Sequence, residues 1–168
     1  FDGIAVVGAG AAGVSAAVEA ARLGAGVLIL EASGRAGGVV RVAHEVRNFP
    51  GGARTGAEIA EMFSAQVVQW GIPLERRRVT SVTAGAGEVV LAGGGGWALE
   101  AAAAVVATGT APVMPEIPGI PASFGPDSGV FSSACSALAG PQPSSAAVIG
   151  GSDVAFDQAR LLAGRGVA

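Results

Sequence analysis

The segment that most constrains this chain is IAVVGAGAAGVSAAVEAARLGAGVLILE, from Ile4 to Glu31. Ile4 to Val7 is a short apolar run suited to a strand buried on both faces. Gly8, Gly10 and Gly13 then satisfy G-x-G-x-x-G. Behind them Val14, Ala17, Val18, Ala21 and Leu23 recur at helical spacing. Val27 to Leu30 reads as a second buried strand ending on Glu31. A strand, a glycine turn, a helix, a strand and an acid, in that order, predict a Rossmann-like α/β domain.

Each part has a task. Gly8 permits a tight turn, Gly10 lets the backbone approach a pyrophosphate, and Gly13 lets the helix pack closely on the sheet. The helix N-terminus, with Ala11 and Ala12 in its first turn, presents free N–H groups and partial positive charge to phosphates. Glu31, with Ala32 beside it, stands at the spacing of an acid that accepts hydrogen bonds from ribose hydroxyls. A free ribose is implied, because the carboxylate repels a 2′-phosphate. The motif alone does not separate FAD from NAD.

The next segment, EASGRAGGVVRVAHEVRNFPGGARTGAEI, has a second glycine pair, Gly37-Gly38, and then Asn48-Phe49-Pro50-Gly51. By itself the latter is a plain turn. In this position, after an acid, a glycine pair and a strand-like run, the sequence resembles the thioredoxin-reductase-like branch of the two-dinucleotide flavoproteins. The resemblance implies FAD at the first site, with Asn48 approaching the isoalloxazine. It puts Val39 where the family often has a glutamine that contacts the flavin. His44 lies on the same loop and reads as a surface or partly buried structural histidine.

Thr55 to Glu58 has capping-box spacing, followed by a helical stripe of Ile59, Met62, Phe63, Val67 and Trp70 closed by Gly71. Val79 to Thr83, Val89 to Ala92 and Trp97 to Leu99 read as short strands parted by glycine-rich turns. The resemblance predicts such a three-strand insert and takes the strand at Val79 past the adenine. Ala101 to Val106 reads as one buried strand. Ala107-Thr108-Gly109 ends it and matches a family motif where the chain passes the FAD. The proline-rich stretch Pro112 to Pro121 suits a crossover out of the domain.

AAVIGGSDVAFDQARLLAGRG, from Ala146, repeats the opening pattern. A strand Ala146 to Ile149, a turn at Gly150-Gly151 and a helix from about Ser152 to Ala163 are expected. The resemblance makes this the start of an NAD(P)-binding domain. Gly150, Ser152 and Ala155 occupy its G-x-G-x-x-A positions. Serine replaces the middle glycine, and Asp153 at the helix start opposes an incoming phosphate. A purely architectural second domain is therefore the competing reading. Residues 1–111 are expected to be the FAD domain, lacking a final segment that returns later in this family, and 112–168 a crossover and a truncated NAD(P) domain. The chain covers about half of a family member.

In disulfide-reducing members a Cys-x-x-Cys pair precedes the second fingerprint. Its place falls on Ser133-Ala134-Cys135-Ser136, with serine at both pair positions; a one-residue gap in the following loop would move Cys135 onto one of them without supplying its partner. Cys135 is the single cysteine, so no internal dithiol is available for exchange with a flavin. A small unreactive side chain is the plain reading of it.

The resemblance therefore implies an FAD-dependent oxidoreductase that passes electrons from NAD(P)H to a non-disulfide acceptor, a small molecule or a small redox protein. Alternatives are a flavin oxidase or monooxygenase and a non-catalytic binding module. A homodimer of the full-length protein fits the family. The net charge of −3 gives no indication of a nucleic-acid partner. The run Arg76-Arg77-Arg78 reads as a solvated strand start. No apolar run approaches a membrane span of roughly 20 residues, and no charged leader precedes an apolar stretch, so a cytoplasmic location is expected. One histidine and one cysteine exclude the usual metal clusters.

Overall fold

The computed structural model describes residues 1–111, 113, 116–120, 123 and 125–168. The chain forms two compact units, Phe1–Thr110 and Ala111–Ala168. Pro112, Met114, Pro115 and Pro121 of the expected crossover lie outside the described residues.

The first unit is built on β1 (Ile4–Val7), α1 (Ala11–Arg22) and β2 (Val27–Glu31). β1 pairs in parallel with β2, Ile4 opposite Val27 and Val7 opposite Leu30. On its other side it pairs with β7 (Ala103–Val106), Val7 opposite Val106. A three-residue strand, β3 (Leu74–Arg76), adds to β2 with Glu31 opposite Arg76, and the sheet order is β3-β2-β1-β7. β3 has no alternation to announce it in the sequence.

Side chains alternate across the sheet. Val6 and Ile29 point to one face and meet Val14 and Ala17 of α1 and Val67 of α2 (Gly56–Gln69). Ala5, Val7, Leu28 and Leu30 point to the other and meet Leu91 and Ala101. The second face is covered by an antiparallel sheet, β4 (Val79–Ala84), β5 (Val89–Gly93) and β6 (Ala98–Ala101), in that order. Helices on one face and a three-strand insert on the other give the Rossmann-like α/β fold expected.

Several local expectations need correction. The run Ala101 to Val106 is not one buried strand: it is cut at Ala102, where the chain leaves the antiparallel sheet for the parallel one. The Ala102 amide donates to the Gly3 carbonyl at 3.1 Å. β7 is the edge of its sheet, so Val106 is 61% exposed. The strand-like run after the glycine pair is a 3-10 helix, Gly38–Val42, entered through Gly37 at φ 117° and Gly38 at φ 53°. Leu23 caps α1 and is exposed rather than part of its buried stripe, and Met62 and Trp70 point outward from α2. The capping box at the start of α2 is formed: Thr55 Oγ1 accepts the Glu58 amide and Glu58 accepts the Thr55 amide.

The second unit contains α3 (Ala134–Ala137) and α4 (Asp153–Gly164), which starts one residue later than expected. Ala134 and Leu162 pack with Val167 in a small core. Ala146 to Ile149 is not assigned as a strand, and Ile149 is exposed. The Ala168 amide donates to the Ser144 carbonyl (3.0 Å) and the Ala146 amide to the Ala168 carbonyl (2.9 Å). That pair of bonds is one rung of a parallel ladder at Ser145; the ladder pairing of a strand needs several.

Candidate nucleotide-binding site

The glycine turn follows β1 directly. Gly8 takes φ 102° and donates its amide to the Leu30 carbonyl at 2.9 Å. A Cβ there would collide with the Ala107 carbonyl, and one at Gly13 with the Gly8 carbonyl. A Cβ on Gly10, in contrast, would meet no protein atom within 4 Å. Two glycines are thus needed by the fold, and the middle one faces open space. Gly10 is the N-cap of α1, with no side chain capping it and no acid in the first turn. The first-turn amides, with Ala11 and Ala12 exposed, have no intrahelical acceptor. An uncapped helix end over an open glycine is a cradle that fits a pyrophosphate.

The second glycine pair closes on the first turn. The Gly37 amide donates to the Ala9 carbonyl at 2.7 Å. A Cβ on Gly38 would stand 3.1 Å from the Gly10 Cα. The 3-10 helix behind it packs under α2, where a Cβ on Gly56 would strike the Val40 carbonyl. Val39 is exposed on this segment.

Glu31 is more engaged than its expected ribose role requires. Its Oε2 accepts the Ala9 amide at 2.9 Å and its Oε1 the Ser33 amide at 2.8 Å. Each oxygen has a further lone pair for a ribose hydroxyl. Partial burial pushes the carboxyl up. The amide of Ser33, the amide of Ala9, the Ser33 hydroxyl and the charge of Arg78 together outweigh burial and hold it below its ordinary value. The acid therefore ties the glycine turn to the loop after β2. No pattern of letters announces this, because every residue carries an amide. Ala32 lies partly buried beside it.

Asn48 is exposed at the tip of a loop whose base is closed by Val46 and Arg54, exchanging amide bonds of 2.7 and 3.1 Å. Arg54 Nε is buried without a hydrogen-bond partner among the described residues. The Ala107 amide continues the β7 ladder onto the Val7 carbonyl at 2.8 Å, beside Gly8. Thr108 and Gly109, at φ 71°, follow on the exposed end of that strand. Val79 opens β4 at a bulge and is partly buried. The structure thus gathers Gly8, Gly10, Gly13, Glu31, Gly37, Gly38 and Ala107 into one cluster. Asn48 stands on its own loop and Val79 in the second sheet.

The turn in the second unit is built differently. Gly150 takes φ 147°, and a Cβ there would stand 3.2 Å from that of Ala155. This is the close turn-to-helix packing of the first fingerprint. Ser152 is the N-cap of α4 without a side-chain cap bond, and Asp153 accepts the Val154 amide at 2.9 Å. A carboxylate already occupies this helix start, so these residues fit a phosphate less well than Gly10 does. An open hollow of about 320 Å³ in the same unit is lined by Phe131, Ser132 and Ser136. It carries none of the nucleotide-binding candidates. Among the described residues no group of acids, His44 and Cys135 is placed to hold a metal, and no helix is long and apolar enough to cross a membrane.

A parallel sheet whose central strand ends in a glycine turn, a helix start and an acid of the next strand defines a dinucleotide-binding protein of Rossmann type. Comparison with known proteins narrows the class. Residues 2–168 match the pyridine nucleotide-disulphide oxidoreductase family, and the chain belongs to it. The thioredoxin reductase of Treponema pallidum is 34% identical over 161 residues, 94% of this chain and 50% of that protein. That of Peptoclostridium litorale is 32% identical over 161 residues, 95% of this chain and 50% of that protein. The crystal structure of T. acidophilum thioredoxin reductase superposes with a TM-score of 0.63 at 32% identity, over 70% of this chain and 38% of that one. The chain spans about half the length of the curated relatives it matches. Thioredoxin-reductase-like members of the family bind FAD and use NAD(P)H.

Proposed function

We propose that this chain carries the FAD site of an NAD(P)H-dependent flavin oxidoreductase whose acceptor is not a disulfide reduced through a dithiol on this chain. Gly8, Gly10 and Gly13, with the Ala11 and Ala12 amides, hold the FAD pyrophosphate. Glu31 and Ala32 hold the adenosine ribose. Gly37, Gly38 and Val39 flank the phosphate and flavin, and Asn48 approaches the isoalloxazine. Ala107 to Gly109 pass the cofactor at the end of β7, and Val79 passes its adenine. Gly150 and Ser152 form the weaker NAD(P) turn. The bound flavin would accept a hydride and pass on its electrons; the chain's own residues bind, orient and exclude water.

The observation that carries the acceptor assignment is at α3. Cys135 is the chain's single cysteine, so these residues hold no dithiol whichever register the resemblance gives the redox pair around α3. A second reading keeps a small dithiol protein as acceptor, because the relatives are thioredoxin reductases. It requires a dithiol outside these residues. A non-catalytic nucleotide-binding module is favoured only by Ser152 and Asp153 at the second turn. The reading takes the full-length protein to be a cytoplasmic homodimer.

The test is to purify the full-length protein and record its absorption. Flavin bands, FAD released on denaturation and bleaching by NADH or NADPH support the reading. A protein that releases no FAD sinks it. Reduction of a disulfide substrate by NAD(P)H at thioredoxin-reductase rates moves the acceptor to the second reading. Cys135→Ser is expected to leave flavin bleaching unchanged.

A further inference from the structure

The arginines of the run Arg76-Arg77-Arg78 are all exposed, as a solvated strand start requires, and they stand beside Glu31. Arg77 is exposed but engaged: its guanidinium lies 5.4 Å from the centre of the Trp97 ring and 3.5 Å from Glu75. Arg76, the last residue of β3, faces the side of the strand opposite to Glu75. The stem of Arg76 lies against Gly34 in the loop after Glu31, where a Cβ on Gly34 would stand 3.1 to 3.3 Å from its carbons. The charge of Arg78 acts on the Glu31 carboxylate. The backbone holds them there: Arg76 is opposite Glu31 in the sheet, and the Arg77 amide donates to the Glu31 carbonyl at 3.1 Å. Among the described residues, neither the Arg76 nor the Arg78 side chain has a hydrogen bond or an ion pair.

The order of groups outward from the glycine turn is fixed by two contacts. Ala9, inside the turn, is bonded to Glu31, and Glu31 stands opposite Arg76 in the sheet, with the Arg77 amide on its carbonyl. A dinucleotide with its pyrophosphate at Gly10 and its ribose on Glu31 would bring its base next to the two arginines.

We propose that Arg76 and Arg78 form the adenine wall of the first nucleotide site, stacking planar guanidiniums on the base while Glu31 reads a free ribose. This rests on the FAD reading above. A guanidinium presents a flat, weakly hydrated cation suited to a π-face. The wall makes the site selective for an adenine dinucleotide over a mononucleotide without the base.

The experiment uses the full-length holoprotein and three variants: Arg76→Gln/Arg78→Gln, Arg22→Gln/Arg160→Gln as a control of equal charge change, and Arg78→Lys. FAD affinity is read from flavin fluorescence released on dilution, and displacement of FAD by ADP, 2′,5′-ADP and FMN is followed. The Arg76/Arg78 variant is expected to lose about tenfold in FAD and ADP affinity, as two stacked cations predict. FMN binding and the control variant should be unchanged. Should the double variant not fold, Arg78→Lys, which keeps the charge but not the plane, is expected to lose about threefold. Unchanged FAD and ADP affinity overturns the proposal, as does an equal loss in the control or with FMN. Tighter binding of 2′,5′-ADP than of ADP by the parent also overturns it, because the arginines would then serve a 2′-phosphate. A parent without FAD defeats the function reading instead.

Discussion

Ser133 and Ser136 hold their hydroxyl oxygens 2.8 Å apart across the first turn of α3. Ser133 is the N-cap and accepts the Ser136 amide at 3.1 Å, which draws both side chains to one side of the turn. Cys135 precedes Ser136 by one position and lies on a different side.

That spacing suits a disulfide between cysteines placed at the two positions. Ser133→Cys/Ser136→Cys is expected to form one on mild oxidation, with Cys135 left as a thiol. Mass spectrometry under non-reducing conditions and thiol titration check this. If every thiol remains titratable after oxidation, the spacing does not hold a redox pair.

Gly10 and Gly13 separate ligand space from fold space. Gly13→Ala forces a methyl against the Gly8 carbonyl and is expected to destabilise the protein by about 1–3 kcal/mol. Gly10→Ala meets no protein atom within 4 Å and should cost only about 0.5–1 kcal/mol, for a poorer N-cap. It should still weaken FAD binding about tenfold, or about 1.4 kcal/mol, by filling the cradle. Denaturant melts and FAD titration of the same two variants separate the effects.

Glu31 makes the structure sensitive to acid. Its folded pKa lies below the unfolded value, so the stability it lends is full above about pH 4.3, the ordinary glutamate value. It is lost as pH falls through the lowered folded value. Glu31→Gln keeps one acceptor for two amides. It should cost about 1 kcal/mol at neutral pH, at the low end because solvent reaches the group. The gap between parent and variant should narrow below pH 4. Denaturant unfolding at pH 7 and pH 3.5 measures it; a gap that widens in acid contradicts the assignment.

Leu91 is the fully buried side chain through which the antiparallel sheet grips Ala5, Val7, Leu28 and Leu30. Leu91→Ala should lower stability by about 2–5 kcal/mol. Thermal unfolding followed by circular dichroism reads the loss. A change under about 1 kcal/mol would mean that the insert does not cover this face.

The opening fingerprint was legible because Gly8 and Gly13 each have a steric reason in the fold to be glycine while Gly10 leaves space for a ligand, and together they leave a spaced pattern. The α2 start was legible for the same cause: Thr55 and Glu58 satisfy each other through side chains, and side chains are letters. Ala101 to Val106 was not, since alanine suits a strand, a crossing or an edge alike and only tertiary pairing decides. β3 was too short to alternate. The strand-like run after Gly37 became a 3-10 helix through two positive φ values that glycine permits but does not require. The Glu31 bonds to Ala9 and Ser33 use backbone donors and so left no trace.

β1 has neighbours on both edges and packing on both faces. Its amides should be among the last in the molecule to exchange with heavy water, and the turn at Gly8 to Gly10 hangs from the end of it. The cradle is thus moored to the slowest-opening part of the unit. A nucleotide arriving there meets donors already held in place, and little of its affinity is consumed in ordering them.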